Sequence, residues 1–194
     1  MARITARYRA DTLRQRTCVL DPFGVSGSGT ERFRVSFDPL ASLDPNDSTS
    51  FVPNARLIAD SLIPIGESKE RHWADTARQC LSALICHVRT FFRYEGVRDL
   101  VTVWHLASEL TSPDPNEPTS YWLEKEMLNN DAAGGVIRNG ARQFYGRTGG
   151  EFSSVLSNLQ KHLDFIGIEC VQQCLTGESI DCLLYTSPSP RDRG

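Results

Sequence analysis

Apolar positions change rhythm near Pro53. Before it, Thr17-Cys18-Val19-Leu20-Asp21 forms a short continuous apolar run, and Phe33, Val35 and Phe37 alternate with polar residues. The first pattern predicts a strand buried on both faces, as in a parallel sheet, and the second a brief extended piece. After Pro53 the steps become helical. Trp73, Ala77, Cys80, Leu81, Leu84, Ile85, Val88 and Phe92 recur every three or four residues, predicting a helix over 71–93 with a stripe wide enough for a central place in a bundle. Gly96 punctuates its end. Further helices are predicted over 99–109 (Leu100, Val103, Trp104 and Ala107 inward), 120–130, 135–145, 151–165 and 168–175. Good helix formers also predict a basic helix over 2–14. Residues 23–30 and 112–118 read as loops. The fold class is therefore α/β but mostly helical.

Composition adds that a packed core exists. Hydrophobic residues make up 40% of the 194, with ten prolines. The formal charge of −3 is mildly acidic and lacks the footprint of a stand-alone nucleic-acid binder. No apolar run approaches the ~20 residues that span a bilayer, and the Arg-rich start has no apolar stretch of the secretory type. The six cysteines form no C-x-x-C pair. Cys170 and Cys174 share a helix face without histidines at zinc-ligand spacing, so no metal site is expected. His72, His87, His105 and His162 accompany no serine or cysteine in a catalytic motif, and no catalytic residue is assigned.

Two motifs imitate nucleotide chemistry. Gly24-x4-Gly29-Thr30 approaches the phosphate loop G-x4-G-K-[ST], but Thr30 stands where the lysine belongs and no helix follows to hold an anion. Val19-Leu20-Asp21 resembles an acidic strand end that could hold Mg²⁺, followed by Pro22 rather than a second carboxylate. Neither is expected to bind. Arg138 and Arg142 lie four apart on one helical face with Arg147 beyond, an arrangement able to touch backbone phosphates of DNA.

Cys182 to Asp192 reads CLLYTSPSPRD, which resembles the translation of an adapter that transposases attach to sequencing libraries. Residues 182–194 are accordingly expected to be a non-native tail. The order of landmarks before it resembles the conjugative coupling proteins of type IV secretion, the TraG/TraD-like group. The resemblance rests on Val19-Leu20-Asp21-Pro22-Phe23, Phe37-Asp38-Pro39-Leu40, Ala55-Arg56-Leu57-Ile58-Ala59-Asp60 and His72-Trp73. It continues through Arg98-Asp99-Leu100-Val101-Thr102-Val103, Ser153-Ser154-Val155-Leu156-Ser157 and Leu163-Asp164-Phe165.

That resemblance implies a RecA-like P-loop ATPase with an inserted all-α domain, hexameric at the cytoplasmic face of the bacterial inner membrane. Such a motor moves single-stranded DNA with its relaxase towards the secretion channel, using ATP and Mg²⁺. It divides the chain into 1–52, a partial nucleotide-binding domain; 53–176, the all-α insertion; and 177–181, the start of the return to the ATPase domain. Phosphate loop and acidic strand would both lie outside these residues, so the fragment itself is expected to hold no ATP or Mg²⁺ and to be inactive. The alternative is a small, non-enzymatic helical module that binds DNA or protein.

Overall fold

The computed structural model describes residues 2–64, 71–111, 119–146 and 150–176. Among them the chain is mostly helical, and β pairing is confined to isolated bridges. Arg147, the 112–118 loop and the expected segments 177–181 and 182–194 lie outside the described residues.

The expected helices form, and a further one joins them. The helices are α1 (Ala2–Arg7), α2 (Phe51–Leu62), α3 (Arg71–Thr90), α4 (Leu100–Thr111), α5 (Thr119–Leu128), α6 (Val136–Tyr145), α7 (Gly150–Leu163) and α8 (Glu169–Thr176). Helix α1 is shorter than expected, and the further helix, α2, covers the start of the helical rhythm near Pro53. A π-helical turn, Tyr8–Thr12, continues α1. Pro53 falls in the first turn of α2, where the missing N–H has no intrahelical partner to lose. Asp47 starts that helix. Its carboxylate accepts the backbone N–H of Thr49 (3.0 Å) and the hydroxyls of Ser50 (2.6 Å) and Thr49 (2.6 Å). Those donors, Ser50 first, hold the carboxyl well below its usual range. Asp99 does similar work for α4, accepting the N–H of Thr102 at 2.8 Å.

α3 is the axis of the bundle, with α2, α4, α6 and α7 packed around it. From Cys80 to Val88 every residue is buried, including Ser82 and His87, so this stretch is enclosed on all faces. Arg89 then ties the end of α3 to its surroundings. Its guanidinium donates to the carbonyls of Leu43 (2.6 Å) and Arg98 (3.3 Å). Phe92 departs from the predicted stripe and is largely exposed. Extended backbone at Phe91 ends the helix, and a 3-10 turn over Phe92–Tyr94 resets the period. Phe91 and Tyr94 turn inward against His87 instead, with ring centroids 4.8 Å and 5.5 Å away. Trp73, predicted inward, is only partly buried.

The link from α5 to α6 is tight. Ala133, Gly134 and Gly135 all adopt positive φ, 56°, 61° and 85°. Two glycines remove most of the steric cost of that left-handed run. Gly140 matters for another reason: a Cβ there would stand 2.4 Å from the Cβ of Ala83, so the missing side chain lets α6 close directly on α3.

The N-terminal arm corrects the sequence reading. Residues 17–21 do not form a strand buried on both faces. Val19 makes one parallel bridge to Arg34, donating its N–H to Phe33 (2.8 Å) and accepting from Val35 (3.2 Å). Leu20, Phe23 and Val25 point to solvent, Val25 with 85% of its surface exposed. The run is strand-like in sequence because β-branched and apolar residues suit a sheet, but the described residues supply it with no sheet to enter. The main hydrophobic core begins at Leu40 and includes Leu43 and Phe51, so packing of the helical unit reaches back before residue 53 and draws nothing from residues 2–36.

Candidate functional site

The glycine-rich loop after Leu20 is filled by the protein's own carboxylates. Asp21 accepts the backbone N–H groups of Val25 and Ser26, both at 3.0 Å, and the Ser26 hydroxyl. Ser26 Oγ also meets Thr30 Oγ1 at 2.7 Å, and Thr30 Oγ1 donates to the carbonyl of Gly27 at 2.8 Å. Glu31 takes the N–H of Gly29 at 2.6 Å. A phosphate loop presents such N–H groups to its ligand; here several of them face acidic side chains. The Asp21 side chain is nearly buried, with Arg34 at 3.4 Å. The Ser26 hydroxyl, then the N–H donors and Arg34, lower its pKa despite desolvation. Its oxygens are thus engaged by donors rather than offered to a cation.

The proposed DNA-contacting arginines separate. Arg138 is half-buried, and its Nε donates to the carbonyl of Leu128 at 3.0 Å, satisfying the C-terminal end of α5. Its guanidinium also pairs with Asp131. Arg142, one turn on, is exposed. So the two share a face as the spacing predicts, but only Arg142 is available to an external phosphate without first breaking a contact within the fold.

The histidines behave differently from one another. His72 is exposed and stands edge-on to Trp73, and His105 lies against Trp104. His87 is fully buried. Its Nδ1 lies 3.1 Å from the amide nitrogen of Asn130, which also donates to Thr90 Oγ1 at 2.9 Å. An amide nitrogen can only donate, so Nδ1 is the acceptor and the proton sits on Nε2. Nε2 faces Glu126 at 3.8 Å without a hydrogen bond. Arg93 secures Glu126 at 2.5 Å, and the Tyr94 hydroxyl lies 3.4 Å from the same carboxylate. Burial, reinforced by Arg93, pulls the His87 pKa down to about 4. A neutral imidazole enclosed by Phe91, Tyr94 and Asn130 cannot reach a substrate; this cluster locks α3 to α5. The sequence contains no signal for it, because its members lie about forty positions apart.

A cleft of about 530 Å³ opens between α2, α3 and α6. One wall is charged. Arg78 donates to Asp75 at 2.7 Å and lies 3.7 Å from Asp60. Arg56 stands beside them, exposed, with no ion pair among the described residues. The other wall carries the carboxamides of Gln79, Asn139 and Gln143. Ser82 is only 3% exposed, and its Oγ has no hydrogen-bond partner. Close approach at Gly140 completes the floor. Arg138 and Arg142 do not line this cleft. Sequence reasoning missed the cleft, although Arg56 and Asp60, one turn apart on α2, lay within a segment noted for another reason.

No group of acidic, histidine and cysteine side chains among the described residues could hold a metal ion. No helix there is long and apolar enough to cross a membrane. No known family, curated protein or solved structure matches this chain.

Proposed function

We infer that the chain is part of a conjugative coupling ATPase, comprising its all-α insertion and the adjoining edge of a RecA-like domain. The observation that carries this reading is the meeting of Phe37 and Cys174. Phe37 donates its N–H to the carbonyl of Cys174 at 2.8 Å, and the Ser36 hydroxyl lies 3.4 Å from the carbonyl of Gln173. An inserted domain leaves and rejoins its host at neighbouring points, and the helical unit has its two ends side by side. The arm next to that junction pairs in parallel at Val19 and leaves Leu20 beside it exposed, as an edge that could join a larger sheet would.

In this reading the parent is a hexameric, ATP- and Mg²⁺-dependent pump at the inner face of the membrane. It passes single-stranded DNA and its relaxase to a type IV secretion channel. The 194 residues contain no G-x4-G-K-[ST] sequence, so the fragment is a non-catalytic part. Arg142 is the DNA contact the fold leaves open; Arg138 and Arg147 are its partners in the proposal.

The test is to recover the locus and express the protein with its natural flanks. We expect a G-x4-G-K-[ST] loop upstream, an acidic strand downstream, and Mg²⁺-stimulated ATP hydrolysis. Single-stranded DNA affinity should fall with salt and fall again in Arg142→Ala. A locus without those two motifs would defeat the proposal. It would instead favour a small helical interaction module, a reading supported by a core that closes from Leu40 onward without the arm.

A further inference from the structure

The α2–α3–α6 cleft gathers polar groups that the fold does not use. The side chains of Gln79, Asn139 and Gln143 line it, and the Ser82 hydroxyl is buried without a partner. An orphaned buried hydroxyl costs free energy unless something in the cleft satisfies it. The volume, about 530 Å³, is in the range of small-molecule sites.

The charges narrow the ligand. Asp60 and Asp75 share the single cation of Arg78 and each uses only Oδ1 to do so, leaving a surplus of negative charge on two half-exposed carboxylates. Arg56 supplies a separate positive charge with no ion pair among the described residues. A dianionic phosphate would meet both carboxylates and is disfavoured. A nucleobase is disfavoured too, since no aromatic side chain is among the lining residues and base recognition in single strands relies on stacking. A ligand with one anionic and one cationic end matches the charged wall, and the carboxamides opposite match the donor and acceptor pattern of a peptide group between those ends.

The geometry points to a binding site for a small zwitterion, a short peptide. Its carboxylate meets Arg56, its ammonium the free edges of Asp60 and Asp75, and its amide the Gln79–Ser82–Asn139 wall. Gly140 closes the floor, because its missing side chain lets α6 sit directly on Ala83 of α3.

The probe is glycylglycine, titrated into the full chain and followed by ¹⁵N–¹H NMR. N-acetylglycine, which lacks the ammonium, and glycinamide, which lacks the carboxylate, are the comparisons. We expect saturable shifts at Ser82, Asn139 and Gly140, with affinity at least about tenfold tighter for the dipeptide than for either blocked analogue. Arg56→Ala, an exposed position that leaves the core intact, should weaken binding about tenfold. Ser82→Ala should weaken it while raising thermal stability, because the orphaned hydroxyl is gone. Absence of saturable shifts up to about 10 mM, equal binding of a blocked analogue, or indifference to Arg56→Ala would each overturn the assignment.

Discussion

Gly140 and Ala83 set the distance between α6 and α3, and one methyl group tests that contact. Alanine at position 140 gains helix propensity worth up to about 1 kcal/mol, but its Cβ would fall 2.4 Å from that of Ala83. Overpacking of this kind costs about 1–3 kcal/mol. The clash is with short, inflexible atoms, so it should prevail. We expect Gly140→Ala to lose about 1–2 kcal/mol in urea denaturation; unchanged or raised stability would mean the helices can slide apart freely. Two buried titrating groups make a second residue-scale prediction. His87, with its pKa lowered to about 4, is stabilising when neutral, so its contribution is lost as pH falls from 6.5 towards 4. Asp38 runs the other way. Burial first, with Asp99 adding repulsion, pushes its pKa up to about 6, so stability is lost as pH rises from 3.8 through 6. Each is worth up to about 3 kcal/mol, and they nearly cancel across the same window. Wild-type stability should therefore vary little from pH 4 to 6. In Asp38→Asn, whose side-chain oxygen can still accept the N–H of Leu40 (3.0 Å in wild type), stability should climb with pH over that window and exceed wild type at pH 7. Parallel pH curves for the two proteins would refute this.

Helices were legible in the sequence because their stabilising burial repeats locally. The steps from Ala77 through Val88 put six predicted positions on α3, and the axis of the bundle follows from the width of that stripe. Phe92 was misread because periodicity cannot see a helix end dictated by backbone, here the extended Phe91. Thr17–Asp21 was misread for a different reason. A strand is half of a partnership, and apolar composition states a preference for a sheet without supplying the neighbour. The cleft was hidden for the same non-local reason: Arg56, Arg78 and Asn139 converge from three helices, and no window of sequence contains them all. Arg138 shows the limit of charge reading. Its spacing from Arg142 is visible, but its use as a brace for the end of α5 is not.

At the scale of the molecule, the core defines one helical unit and the arm lies apart from it. Every residue of the main core falls between Leu40 and Ile166, and its last satellite, Leu175, belongs to α8. The arm is held through Phe37 and Ser36 on α8 and by an exposed ion pair of its own, Arg32 with Asp11 at 2.6 Å. Exposed pairs of this sort contribute little, whereas the core buries several aromatic and many aliphatic side chains worth roughly 1.5–3 kcal/mol each. The cooperative unit of unfolding should then be the helices alone. Deleting residues 1–36 should leave a single sigmoidal thermal transition, with a midpoint within about 5 °C of the full chain, and hydrogen exchange should be slowest in the middle of α3. The deletion should also reduce aggregation, because it removes Leu20, Phe23 and Val25 together with the open edge beside Val19. A broad, non-cooperative melt after the deletion would show that the arm helps build the core, and would take away the independence on which both functional readings of the helical unit rely.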